Sequence, residues 1–168
     1  MKEVYLKVPE LNEIWFRKQM LACSETMSYN ARSGDGGGTI DFNESMWDSW
    51  YAKWIGNKNP KFFYAYVYDK DTKEPVGHAS YRFKDKSGCA ELGLNIYAPH
   101  RKSGYAKPAL CALVETAFEN GYDELRDVIW DDQVGAHALF EKVGFKRVAY
   151  TDGAYDYRLT SKEYKDKK

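Results

Sequence analysis

The chain has 168 residues, of which 43% are hydrophobic and 16% aromatic, with 25 basic and 25 acidic side chains for a formal net charge of +0. That length suits one domain with a sizeable core, and the balanced charge argues against a bulk nucleic-acid binder. Three cysteines, Cys23, Cys89 and Cys111, at unrelated spacings with no C-x-x-C give no zinc or disulfide framework and fit a reducing, cytoplasmic setting; no apolar run of about 18 residues predicts a membrane span, and Met1-Lys2-Glu3-Val4-Tyr5 lacks the apolar core of a signal peptide.

Val4 to Val8 alternates and reads as a strand that Pro9 ends, and Leu11, Ile14, Trp15, Lys18 and Leu21 then follow helical spacing. The periodicity disappears from Thr26 to Asn43, where Met27-Ser28-Tyr29-Asn30 and Gly34-Asp35-Gly36-Gly37-Gly38 read as a long flexible loop of the kind that serves as a lid. Asn43 or Ser45 is placed to cap a second helix whose apolar stripe is Met46, Trp47, Trp50, Tyr51, Trp54 and Ile55, stopped by Gly56-Asn57. Phe62 to Tyr68 and Pro75 to Phe83 read as a hairpin around the loop 69–74, and Lys84 to Gly88 as the turn into a third strand of this group, Cys89 to Tyr97. Ala106, Leu110, Leu113, Val114, Ala117 and Phe118 lie on one side of a helix that Asn120-Gly121 closes. Leu125 to Trp130 is a strand, Gln133 to Val143 a short helix closed by Gly144, and Phe145 to Tyr150 and Ala154 to Leu159 the last strands. The reading is a mixed α/β (α+β) domain over residues 1–160, followed by a charged tail, 161–168, expected to fray. One crossover beside antiparallel hairpins predicts a mixed, mostly antiparallel sheet of about seven strands with helices on both faces.

The junction between the third strand of that group and the following helix carries the chemistry. Its turn reads Arg101-Lys102-Ser103-Gly104-Tyr105-Ala106-Lys107, followed by Pro108. Proline is tolerated only in the first turn of a helix, so regular hydrogen bonding begins near Gly104 to Lys107 and the main-chain N–H groups of Lys102 to Lys107 are left without helical partners. Such a turn suits an anion, and a phosphate above all. A solvated basic turn is the plain alternative. The P-loop string Gly-x-x-x-x-Gly-Lys-Ser/Thr does not occur.

Arg101-Lys102-Ser103-Gly104-Tyr105-Ala106 resembles the acyl-CoA motif of the GNAT-type (GCN-related) N-acetyltransferases, which is Arg or Gln, two residues, Gly, one residue, then Gly or Ala. About 30 residues later Leu139-Phe140-Glu141-Lys142-Val143-Gly144-Phe145 resembles the family's second motif, Leu-Tyr-Glu-Lys-x-Gly-Phe, and the element order matches over about residues 3 to 160. The resemblance implies a GNAT fold and an acetyl-CoA-dependent N-acetyltransferase in which an amine attacks the thioester directly. It assigns the coenzyme A pyrophosphate to Arg101, Lys102, Ser103, Gly104, Tyr105, Ala106 and Lys107, and the pantetheine arm to Leu94, Asn95 and Ile96. It also places Gln133 and Phe140 at cofactor contacts. A homodimer is one assembly the family adopts, although no residue here specifies it.

The chain departs from the family pattern at three points. Phe140 stands where a tyrosine often protonates the departing thiolate, so that Tyr97, Tyr150, Tyr155 or water takes that role, or no acid is needed. Gln133 stands where an asparagine usually begins the short helix, and only His100 separates Pro99 from Arg101. The general base must take a proton from an ammonium of pKa about 10. Glu91, on the strand where the family's bases often lie, is the first candidate, with a structural carboxylate as the equal alternative. His78 is second, titrating near neutrality, while His100 and His137 read as surface residues. Asp41 and Glu44 are candidates for recognising a cationic acceptor, and ordinary helix-cap chemistry explains Glu44 at least as well. A small amine acceptor is preferred because the loop and the Trp/Tyr-rich second helix suit a closed aromatic pocket. A protein N-terminus or lysine, and a non-catalytic acyl-CoA-binding module, are the rival readings. Neither nucleic acid, a membrane nor a metal is expected.

Overall fold

Tyr64, Tyr66 and Tyr68 alternate with Phe63, Ala65 and Val67, so this strand sends apolar side chains to both faces and requires cover on each. The computed structural model describes residues 1–33, 37–84 and 88–168. The described residues form β1 (Val4–Lys7), α1 (Trp15–Ala22), α2 (Trp47–Tyr51), β2 (Phe62–Asp69), β3 (Pro75–Lys84), β4 (Cys89–Ile96), α3 (Ala106–Glu119), β5 (Glu124–Trp130), α4 (Val134–Val143), β6 (Lys146–Thr151), β7 (Ala154–Thr160) and α5 (Ser161–Lys167). The sheet order is β1-β2-β3-β4-β5-β7-β6, and every neighbouring pair is antiparallel except β4 and β5. This is the mixed, mostly antiparallel seven-stranded sheet expected from the sequence.

One face of the sheet, with Val67, Ala79, Tyr81 and Leu92, packs against Leu110, Leu113 and Val114 of α3. The other face presents Tyr64, Tyr66 and Tyr68 to Phe16 and Met20 of α1, with Trp50 and Trp54 alongside. Asn43 caps the approach to α2, its Oδ1 accepting from the Ser45 N–H at 3.0 Å, and a π-helical turn over Ala52–Gly56 ends it.

The crossover through α3 makes β4 and β5 parallel, as it must. Their ladder is short: Ala90 pairs with Leu125 and Glu91 with Arg126, and then the strands part. Just past this point the Val128 N–H donates to Oδ1 of Asp127 (2.8 Å). β4 therefore leaves Leu92 to Ile96 without a β5 partner, and the gap opens toward the turn that precedes α3.

Two expectations need correction. The segment after α1 is not a free loop where it is described: Ser28–Ser33 is a 3-10 helix, the Ile40 N–H donates to the Leu21 carbonyl at 2.9 Å, and Met27 and Phe42 are buried. The first three residues of the glycine cluster, 34–36, and the residues 85–87 of the turn before β4 lie outside the described residues. The C-terminal residues do not fray. Thr160 and Glu163 form a reciprocal capping box, and Tyr164 is buried against Phe118, its hydroxyl donating to Glu115. Among the described residues no helix is long and apolar enough to cross a membrane.

Candidate active site

The candidate site is arranged around β4 and the turn that follows it. At the C-terminal end of β4, Lys102 (φ 60°) and Gly104 (φ 88°) both adopt left-handed backbone angles, which turn successive N–H groups outward. A Cβ on Gly104 would meet nothing nearer than Lys2 Cγ at 3.9 Å, so the glycine answers a demand of conformation rather than of space. The first helical bond of α3 is Ala109 N–H to the Tyr105 carbonyl at 3.0 Å, and among the described residues no main-chain acceptor takes the N–H of residues 102 to 107. This is the set of open amides that Pro108 predicts. Lys102, Ser103, Gly104 and Lys107 are exposed, and Ala106 is half-buried. Tyr105 is buried and moors the turn to β2: its hydroxyl donates to Asp69 at 2.5 Å, and Lys2 bonds the same carboxylate oxygen at 3.2 Å. Asp69 also accepts the N–H groups of Asp71 and Thr72. These donors, Tyr105 first, hold its carboxyl well below the usual range.

Arg101 faces the other way. Its guanidinium donates to the carbonyls of Ile96 (3.0 Å), Glu25 (2.9 Å) and Thr26 (2.7 Å) and to Oδ1 of Asn95 (3.0 Å). Asn95 in turn donates to the Thr26 carbonyl at 3.2 Å, and the Thr26 hydroxyl accepts the Ala98 N–H at 3.0 Å. Arg101 and the Asn95 side chain are thus a latch that ties the segment after α1 to the end of β4. The Ile96 carbonyl is already engaged by it. Leu94 is half-buried on the edge that β5 leaves open.

Near the middle of β4 the same strand floors a cavity of about 270 Å³ on the α1/α2 side, lined in part by Glu91, Gly93, His78, Tyr64, Trp50 and Arg17. Cross-strand register sets the floor, because Arg82 lies opposite Glu91 and Ser80 opposite Gly93. Glu91 accepts from Nε (3.1 Å) and Nη2 (2.7 Å) of Arg82. A Cβ at position 93 would come within 2.8 Å of the Ser80 Oγ, so glycine keeps this part of the floor open. His78 stacks on Tyr64 with ring centroids 5.2 Å apart, and its Nδ1 is buried without a partner among the described residues. Burial, with Arg17 nearby, pushes its pKa down to about 3, so it does not titrate near neutrality as the sequence suggests, and Glu91 stands ahead of it as a base.

Other sequence candidates lie elsewhere. Phe140 is 4% exposed and packs in the core against Phe145 and Tyr157. Gln133 begins α4 with its Oε1 accepting the Trp130 N–H at 3.0 Å. His137 is not a surface residue: it is buried, hydrogen-bonded to the Tyr157 hydroxyl (2.7 Å) and the Trp130 carbonyl (3.0 Å). Tyr97, Tyr150 and Tyr155 do not line the cavity, and Asp41 and Glu44 are exposed outside it. Three lining or neighbouring groups went unread. Tyr29 lines the cavity, and burial raises its pKa. Asp127, at the parting of β4 and β5, has a pKa raised to about 7 by burial, with the Glu91 charge adding to the rise. Arg17 had a signal, since it stands on the buried stripe of α1 with Ile14 and Leu21.

The Acetyltransferase (GNAT) domain family model matches residues 9–146. Among solved structures, the chain is similar to the spermidine N-acetyltransferase from Vibrio cholerae in complex with CoA and spermine, with 17% identity over 96% of this chain and 98% of that one and a TM-score of 0.78. It is also similar to a GNAT-family acetyltransferase from Bacillus anthracis (18% identity, 97% of this chain and 100% of that one, TM-score 0.74). A third likeness is to apo FdhC, a nucleotide-linked sugar GNAT (17% identity, 98% and 90% covered, TM-score 0.75). Comparison with curated proteins gives no match. With a family model spanning most of its length and a sheet that parts between β4 and β5, the chain belongs to the GNAT acetyltransferase family.

Proposed function

We propose that this protein transfers an acetyl group from acetyl-CoA to a primary amine of a small molecule. The observation that carries the reading is that β4 presents, along one strand, an open amide turn at its end, an unpaired edge beside it and a cavity with a carboxylate on its floor. The residues fit an acyl-CoA. The open N–H groups of residues 102 to 107, with Lys102 and Lys107, suit its pyrophosphate. The unpaired stretch Leu92 to Ile96 offers main-chain groups to an amide-bearing arm, much as a sheet edge takes an added strand.

Acetyl-CoA supplies an activated thioester. The amine nitrogen attacks its carbonyl carbon, the C–N bond forms, the C–S bond breaks and coenzyme A leaves as the thiolate. Glu91, directly or through a water, takes the proton from the ammonium. Arg82 holds that carboxylate in place. Tyr29, on the cavity wall beside β4, is the proton donor to the thiolate in place of the tyrosine that Phe140 replaces.

The cavity of about 270 Å³ between aromatic walls favours a metabolite over an extended peptide. The Vibrio cholerae neighbour, described with spermine, supports a small amine as the acceptor class. The test is amine-dependent thiol release from acetyl-CoA across polyamines, amino acids, aminoglycosides and peptides. Turnover with a small amine supports the reading, and acetyl-CoA binding with no amine-dependent turnover across the panel overturns it.

A further inference from the structure

Arg17 projects from the buried stripe of α1 into the cavity, three residues after Ile14 and four before Leu21. Its guanidinium carbon lies 4.3 Å from the Trp50 ring centroid, 5.1 Å from Phe42 and 5.3 Å from Tyr64. The hydrogen bond it makes through its side chain is a long one, Nη1 to the Tyr64 hydroxyl at 3.4 Å. Its Nε is buried with no partner, and among the described residues no carboxylate forms an ion pair with it. Arg17 is half-buried with no counter-ion among the described residues, and the ring faces it covers return only about 2 kcal/mol. A buried donor open to a cavity marks a place for a ligand atom. His78 Nδ1, buried and unpartnered in the same lining, marks a second.

The charges of the described lining are two guanidiniums, Arg17 and Arg82, against the one carboxylate, Glu91, that Arg82 already holds. We infer that the acceptor carries an anionic group, a carboxylate in the plainest case, which Arg17 receives between the aromatic walls while the amine faces Glu91. This rests on the acetyl-transfer reading for the amine, but the anion site stands on the cavity alone. A guanidinium presents a planar fork that matches a carboxylate. A polycationic acceptor is disfavoured, since Arg17 already covers the Trp50 and Tyr64 faces and a second cation beside it meets repulsion.

The test uses the whole protein and compounds without an amine. Phenylacetate and its uncharged isostere phenylacetamide are titrated while tryptophan fluorescence is followed, since Trp50 and Trp54 line the cavity. We expect phenylacetate to bind at least about tenfold more tightly in the unaltered protein, a comparison that needs no variant. Arg17→Gln removes the preference and Arg17→Lys keeps part of it, with circular dichroism confirming the fold. Equal binding of the two compounds, or a preference that survives Arg17→Gln, overturns the inference. In parallel, phenylalanine is compared with phenethylamine as acceptor. Transfer to neither, with phenylacetate still preferred, would count against the acetyl-transfer reading and leave the anion site standing.

Discussion

Arg101 and Lys102 are neighbours in the turn proposed to hold the coenzyme A pyrophosphate, yet the structure separates their work, and paired substitutions test the separation. Arg101 donates four hydrogen bonds, to the carbonyls of Ile96, Glu25 and Thr26 and to Asn95. Thr26 is 0% and Asn95 7% exposed, so Arg101→Ala strands acceptors that water does not reach. An unsatisfied buried group costs about 1–3 kcal/mol and a bond to a charged donor nets about 1.5–3 kcal/mol; the four share one network and do not add, so a loss of about 3–5 kcal/mol is expected. At roughly 2–4 °C per kcal/mol for a chain of this size, the melting temperature falls by about 10 °C. Lys102 is exposed and, among the described residues, has no side-chain bond to lose, so Lys102→Ala leaves melting nearly unchanged and raises the acetyl-CoA KM several-fold, more at low salt than at high. Calorimetry and initial rates read the two quantities separately. A large KM rise for Arg101→Ala with unchanged melting would refute the latch, because it would mean that the guanidinium turns outward to the ligand.

Glu91→Gln is expected to lower turnover about 100-fold at neutral pH, the contribution of a positioned base, and to recover toward pH 10 as free amine accumulates; a pH-independent loss would show a structural carboxylate instead. Its ion pair with the half-exposed Arg82 adds about 1 kcal/mol or less to stability, so melting should barely change. Asp69, whose pKa is depressed in the fold, contributes stability that is present above its unfolded value of 3.8 and is lost as acid protonates it. Asp69→Asn should therefore lower melting at pH 7 and flatten its fall between about pH 4 and 2, and an unchanged acid limb would contradict the mooring of Tyr105. Asp127 has the opposite sign. Its pKa rises from 3.8 to about 7, so stability falls as pH climbs through that window, and Asp127→Asn should remove this slope in melting measured from pH 4 to 8.

The elements were legible because their signals are local. Alternation in Phe62 to Tyr68, the helical spacing of Leu110, Leu113 and Val114, and glycine stops all act within a few residues. Pro108 located the open amides for the same reason. What the sequence could not show was the direction of side chains whose partners are distant. Arg101 reads as a phosphate cation because its partners, Glu25 and Thr26, lie 76 and 75 residues away. His137 reads as exposed because its cover comes from β7, through Tyr157. The segment after α1 reads as flexible because part of its order comes from Arg101 and Asn95, far along the chain, beside its own local main-chain bonds. Arg17 was readable, since a cation on an apolar stripe is a local signal, but its meaning depends on Trp50, Tyr64 and Phe42 closing around it.

The central claim is direct transfer from acetyl-CoA to a small amine, and mass spectrometry with isotopically labelled acetyl-CoA tests it most directly. The account predicts that the label appears on the amine, one acetyl group for each thiol released, with none retained on the protein. Label found on the protein, or released only as free acetate, would contradict it.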